Sequence, residues 1–209
     1  MGIVTISASY GAMGSEIGPA VAETLGLVFV DRAIPASVAH KLGVTLDDAT
    51  AKDETVPSGL WRLISSMALV PDLSGAGPVA YSAVPDERAF RQQTEQVLHE
   101  VASSTGGVIL GRVGALVLAD EPAALHVRLD GPEQGRLRNA LDHQDTGERV
   151  DLETLRENDA ARAAYWRHFY RQDWHDCRHY HLVLDTTALA LNTVIGLIVT
   201  AARSREVVG

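Results

Sequence analysis

The chain has 209 residues, 46% of them hydrophobic and 22% charged, with a formal net charge of -9. This length and balance suit one soluble globular domain with a sizeable core, and the acid surplus excludes the broad basic surface that grips a nucleic acid polymer. A single cysteine, Cys177, excludes an internal disulfide, no secretory pattern opens the chain, and the apolar runs around Leu182 and from Leu189 to Ala202 are too short or too mixed to span a bilayer, so a cytoplasmic protein without a membrane segment is expected.

Gly2 to Ser7 is a β-branched run that predicts a first strand, and Ile17, Val21 and Leu25 share one face of a helix over Glu16 to Leu25. Leu27 to Val30 predicts a second strand ending at Asp31, and Ile34, Val38 and Leu42 mark a helix after it. A βαβα opening is the pattern of a parallel α/β sheet. From Val44 to Pro85 turn chemistry dominates, in "VPDLSGAGPVAYSAVP" above all, so an excursion of about 32–85 is expected to leave the sheet.

Glu87 to Ser103 then reads as a helix, Val108 to Leu110 and Leu125 to Leu129 as buried strands, and Leu152 to Cys177 as a long, arginine-rich helix. "HLVLDTT" supplies a last strand ending at Asp185 before a closing helix. Five short strands alternating with helices predict one three-layer α/β domain over 1–209. No repeat or low-complexity tail interrupts it, and composition leaves a homo-oligomer open.

The stretch "TISASYGAMGSEIG" carries the clearest chemical signal. A strand that feeds a glycine turn and then a helix leaves backbone N–H groups unpaired at the helix N-terminus, where the dipole also favours an anion. Phosphate fits such a nest. The pattern GxxxxGK[ST] is nevertheless incomplete: with Ser15 as the hydroxyl, Gly14 stands in the lysine position, Met13 in that of the preceding glycine, and Ala8 in that of the first glycine. On its own the loop also admits a dinucleotide-binding dehydrogenase, or a tight turn with no ligand. The short-chain dehydrogenase type is disfavoured, because none of the five tyrosines has lysine four residues on.

Downstream motifs discriminate among these readings. The loop is followed by "LGLVFVDRAI", "VILGRVGALVL" after a long helix, "VRLDGPEQGRLR", and "ENDAARAAYWRHFYRQDWHDCRHYHLVLDTT". In that order and spacing the chain resembles the cytidylate kinase-like family of P-loop nucleoside monophosphate kinases, over nearly its whole length. The resemblance implies a P-loop kinase fold with a five-stranded parallel sheet and a helical lid at about 132–178, with 32–85 binding the acceptor. It also implies transfer of a phosphoryl group from ATP, with Mg²⁺, to a nucleoside monophosphate such as CMP. The family often carries arginine in a loop without the standard lysine, whereas this loop has Ser15 after Gly14.

Phosphoryl transfer asks for positioning and positive charge, which arginine supplies through a planar, permanently charged fork. Tyr10, Gly11, Ala12, Met13, Gly14 and Ser15 would bind the triphosphate. Arg112, just beyond a buried strand, lies where ligands collect in α/β sheets, and the resemblance gives it the acceptor's phosphate. Arg136, Arg138 and Arg162 would form the catalytic set on the lid, with Arg167 and Arg171 as further candidates. A solvated helix face paired with Glu157, Asp159 and Asp173 is the competing account.

Asp31 would orient the acceptor or the loop, or cap the helix beginning near Ala33. Asp185, Thr186 and Thr187 resemble a terminal Asp-Thr pair of the family, for which a helix cap is the simpler explanation. Ser15, Glu16 and Asp31 are the oxygen groups available to a metal, with "VILGR" offering no carboxylate at its strand end. "WHDCRHYH" matches no familiar zinc spacing, and the aromatics Tyr165, Trp166, Phe169, Tyr170 and Trp174 recur at intervals that anchor a helix to a core. The rival function is a nucleotide-sensing or interaction protein that kept the fold without turnover, since both the lysine and the strand-end carboxylate are missing.

Overall fold

A computed structural model describes residues 2–30, 87–111, 113–143 and 150–206. Asp31, Arg112 and the 32–85 excursion, with the helix expected around Ile34 to Leu42, lie outside the described residues. Two compact units are present, and residues 87–97 belong to the second. Within that stretch Arg91 Nε lies 3.4 Å from Glu95 Oε1, one helical turn on.

The first unit holds the strands β1 (Ile3–Ala8), β2 (Phe29–Val30), β3 (Gly107–Leu110), β4 (Ala124–Asp130) and β5 (Leu182–Asp185). They form one sheet in the order β2-β3-β1-β4-β5, and every adjacent pair is parallel. The expected five-stranded parallel sheet is thus present. Among the described residues the helices are α1 (Gly14–Leu25), α2 (Glu87–Ser103), the short α3 (Gly114–Val117), α4 (Glu133–Asp142), α5 (Leu152–Tyr170) and α6 (Leu191–Glu206).

Alternation within the strands builds the layers. Val4 and Ile6 of β1 pack with Val108, Val127 and Leu129 against Ile17 and Val21 of α1 and Val194 and Ile198 of α6. Thr5 points to the other face, where its methyl lies against Gly114 at the start of α3. A second apolar cluster joins Val113, Ala115, Trp166, Trp174 and Tyr180, which ties α5 and the turn after it to the α3 region. Trp166 and Trp174 are therefore core anchors.

The long helix ends earlier than its composition suggests. Arg171 takes a left-handed conformation at φ 56° and its N–H bonds to the Arg167 carbonyl, which closes α5 at Tyr170 instead of Cys177. The reversal buries Trp174 and lets Tyr180 Oη donate to the Trp174 carbonyl at 3.0 Å. Only a turn of 3₁₀ helix, Cys177–His179, follows before β5.

Back along β1 and β4 from the glycine loop, Thr5 Oγ1 lies 2.8 Å from His126 Nδ1, and the main-chain N–H of His126 donates to His181 Nδ1 at 2.9 Å. The two imidazoles stack with centroids 5.0 Å apart. Burial first, then the neighbouring His181 and Arg205, bring the His126 pKa down from 6.5 to about 4. The unfolded chain therefore takes up a proton that the folded ring refuses, and stability falls as pH drops from about 6.5 toward about 4. The loss is up to about 1.4 kcal/mol per pH unit in that window. Thermal melts from pH 7 to 4.5 should show a shallower slope in His126→Asn than in the unaltered chain; equal slopes would rule the histidine out as the cause.

Candidate functional site

The sheet order places β1 in the centre, with β3 and β2 on one side and β4 and β5 on the other. Chain connections diverge at that strand, and ligands of open parallel sheets bind beyond the carboxyl ends of the strands at such a switch point. The glycine loop leaves β1 there. The Ser9 N–H donates to the Leu129 carbonyl at 3.0 Å, and the Ala12 N–H returns to the Ser9 carbonyl at 3.0 Å. Gly11 at φ 74° and Met13 at φ 57° turn the chain into α1, with Met13 as the residue before the helix.

This geometry leaves the N–H groups of Gly11, Met13, Gly14 and Ser15 without a hydrogen-bond partner among the described residues. Four such donors at the start of a 12-residue helix form an anion-binding nest. The Ser15 hydroxyl donates to Glu16 Oε2 at 3.0 Å, so two of the three oxygen groups expected near a metal stand together at the start of α1.

Two polar clusters hold the loop from outside. At its start, the Ser9 hydroxyl donates to Asp130 Oδ1 at 2.8 Å, while Arg128 Nη2 reaches Asp130 Oδ2 at 2.8 Å and Ser9 Oγ at 3.1 Å. Arg128 is only 2% exposed and its guanidinium lies 4.1 Å from the Trp174 ring centroid. Burial pushes the Asp130 carboxyl up, yet the Arg128 charge and the donors from Arg128, Ser9 and Gly131 outweigh it and leave the pKa below its ordinary value.

One residue on, the Tyr10 N–H donates to Asp159 Oδ1 at 2.9 Å and the Tyr10 carbonyl accepts from Arg136 Nη1 at 2.8 Å. Arg136 Nη1 also reaches Asp159 Oδ2 at 2.7 Å, and its Nε donates to the Gly131 carbonyl at 2.8 Å. Arg162 Nη1 lies 3.5 Å from Asp159 Oδ1. Arg156 bridges α5 to α4, with its Nη2 2.7 Å from Glu133 Oε2.

Of the expected catalytic arginines, the structure brings Arg136 and Arg162 to the loop and leaves Arg138 exposed. Arg138 stands two residues from Arg136, roughly 200° around the helix axis, so the two cannot share a face. Arg136 is 6% exposed and committed to main-chain acceptors and Asp159, which is a scaffold's bonding pattern. Arg167 is exposed in the last turn of α5, and Arg171 is its cap. Arg128, Asp130 and Asp159 were not expected at the site; the "VRLDGP" and Asp-x-x-Arg motifs were their only sequence signal.

Asp185 Oδ1 accepts from the Thr187 N–H at 2.8 Å and its hydroxyl at 2.7 Å, which closes a turn directly after β5; α6 begins only at Leu191, so Asp185 does not cap that helix. These donors, Thr187 foremost, lower the Asp185 pKa. In "WHDCRHYH", Asp176 closes the 3₁₀ turn and pairs with Arg178, while Arg128 approaches His175 Nδ1 at 3.4 Å. Among the described residues no group of three or more His, Cys, Asp or Glu is gathered for a metal, and no helix is long and apolar enough to cross a membrane.

A parallel sheet with its central strand leading through a glycine loop into a helix is the arrangement of the P-loop kinase fold, and solved structures bear out that fold. Over 98% of this chain and 99% of its own, an uncharacterized protein from Eubacterium ventriosum superposes with TM-score 0.64 at 15% identity. A gluconokinase from Sinorhizobium meliloti gives TM-score 0.55 at 15% identity over 99% of this chain and 95% of its own. Shikimate kinase from Acinetobacter baumannii, solved with shikimate, gives 0.51 at 17% identity over 99% and 95%. At such identities the likeness is one of fold alone.

The model of the cytidylate kinase-like family matches residues 3–188, and the chain belongs to that family. A protein of Corynebacterium glutamicum named uronate isomerase is 27% identical over 155 residues, covering 71% of this chain. The chain spans about 28% of that relative's length.

Proposed function

We propose that this protein is a phosphotransferase that binds ATP at Tyr10 to Ser15 and transfers the terminal phosphoryl group to a nucleoside monophosphate such as CMP. The observation that carries the reading is the set of four loop N–H groups, at Gly11, Met13, Gly14 and Ser15, that have no partner among the described residues, beside the arginine-bearing α5. Backbone donors suit phosphate oxygens, and a guanidinium placed beside them stabilises charge as it develops on the transferring group. In this reading Arg162 supplies that charge, Arg136 shapes the loop, and Arg138 has no direct role. Asp31 and Arg112 serve the acceptor.

Mg²⁺, when bound, neutralises phosphate charge, and Ser15 with Glu16 would hold it alongside the phosphates and water. The helices α4 and α5 belong to the lid at 132–178, and 32–85 binds the acceptor. A cytoplasmic location accords with a supply of ATP.

A coupled phosphotransfer assay with Mg-ATP across nucleoside monophosphates should show turnover, greatest with CMP. Arg162→Ala should lower kcat by about 10²–10³. Nucleotide binding without turnover for any acceptor would instead establish the non-catalytic sensor that the missing lysine suggests. Neither binding nor turnover would overturn both.

A further inference from the structure

We propose that Asp159 is a positioning residue that ties α5 to the phosphate loop, so that one carboxylate sets both the shape of the nest and the place of Arg162. The inference rests on the nucleotide reading above and adds how the loop and α5 act as one unit.

Both main-chain groups of Tyr10 are engaged from outside the loop. Asp159 Oδ1 takes its N–H at 2.9 Å, and Arg136 Nη1 holds its carbonyl at 2.8 Å. Asp159 Oδ2 in turn fixes Arg136 Nη1 at 2.7 Å, and the Gly131 carbonyl fixes Arg136 Nε at 2.8 Å. Side-chain exposures of 17% for Asp159 and 7% for Arg136 put these charge-assisted bonds largely out of water, where they are strongest. Tyr10 adjoins Gly11, the first of the four unpartnered donors, so any shift of the Tyr10 peptide moves the nest.

The same carboxylate faces Arg162, whose Nη1 lies 3.5 Å from Oδ1 one turn along α5. A lone carboxylate beside a phosphate nest would repel its ligand. Here Arg136 and Arg162 flank it, and Arg136 Nε also lies 3.5 Å from Asp130 Oδ1, itself paired with Arg128; three guanidiniums against two carboxylates leave the cluster net positive and offset the charge of Asp159. The Tyr10 N–H it uses is distinct from the four donors left over, so bound phosphate and the Asp159 contact are compatible. A blocking latch would instead occupy those donors.

The test uses the full chain and a fluorescent ATP analogue, with kcat measured on the acceptor that the phosphotransfer assay selects. Asp159→Ala should weaken ATP binding about tenfold and lower kcat about a hundredfold, because an unmade bond to a charged group and a displaced arginine act together. Asp159→Asn, which can still accept from Tyr10, should keep more of the binding than of kcat. In an Arg162→Ala background the kcat loss from Asp159→Ala should shrink to the part carried by the loop.

Additive kcat losses would sever the link between loop and arginine and overturn the inference. Unchanged binding and kcat in Asp159→Ala would do the same, and tighter ATP binding would show a latch in place of a positioning group. An unaltered chain that binds no nucleotide overturns the functional reading itself. Binding by the unaltered chain with indifferent variants overturns this inference alone.

Discussion

Gly11→Ala is expected to lower ATP affinity by at least about a hundredfold and to reduce the melting temperature by several degrees. Gly11 sits at φ +74°, and a Cβ there would fall on the Arg136 carbonyl oxygen. The left-handed conformation costs an L-residue about 1–2 kcal/mol, but the collision is the larger matter. The Arg136 backbone cannot yield easily, because its side chain is bound to Tyr10, Asp159 and Gly131. The loop must move instead, and the N–H groups of Gly11, Met13, Gly14 and Ser15 move with it.

Gly26 separates the two contributions. It has φ +67° as the cap of α1, yet a Cβ there meets nothing within 4 Å. Gly26→Ala should therefore cost about 1 kcal/mol of stability through conformation alone and leave ATP binding unaltered. Titration with a fluorescent ATP analogue and calorimetric melts of both variants measure the contrast. Equal affinities in Gly11→Ala and the unaltered chain would show that the loop does not hold phosphate.

The elements most evident in the sequence are those written in local periodicity. The α2 limits, Glu87–Ser103, coincide with the apolar pattern, and the buried runs at Val108 and Leu125 gave their strands to within a residue at each end. The close of α5 was hidden because its arginine-rich composition continues past Tyr170, while the stop depends on the left-handed Arg171 and on Trp174 packing behind it. Leu27 and Val28 were expected in β2, but the strand is confined to Phe29 and Val30, with Val28 contributing its carbonyl to the Val108 N–H at 2.9 Å.

The site divides along the same line. Gly11 and the helix after it marked the glycine loop from sequence, since backbone turns leave a local signature. The groups that hold it did not, because a strand pattern shows that Arg128 lies in β4 without showing which partners lie past its end. Tyr10 and Asp159 are 149 positions apart, and Arg128 and Ser9 119. Periodicity places a side chain on a face; tertiary folding selects its partner. Asp159 thus resembled a surface ion-pair residue until Tyr10 arrived beside it.

Arg128→Met is expected to destabilise the fold by about 3 kcal/mol, the low end of the range for breaking a buried pair, because Asp130 keeps some access to water. For a chain of this size that is a drop of about 6–12 °C in Tm. Methionine retains much of the apolar stem against Trp174 but removes the guanidinium that bonds Asp130, Ser9 and the Trp174 carbonyl. Arg128→Lys should recover only part of the loss, since an ammonium cannot present a planar fork to Asp130 and Ser9 while stacking on the indole. The pair variant Arg128→Met with Asp130→Asn should be less destabilised than the two single losses combined, because the carboxylate left without its cation is then gone. Asp130 has a lowered pKa in the fold, so its contribution is present above the unfolded value near 3.8 and is lost as pH falls below it. Arg128→Met should accordingly flatten the acid limb of stability below about pH 4, where the His126 contribution has already run its course. Chemical denaturation of the four chains at pH 7 and pH 3.5 measures the coupling, and strict additivity at both would show that Arg128 and Asp130 stabilise the loop independently.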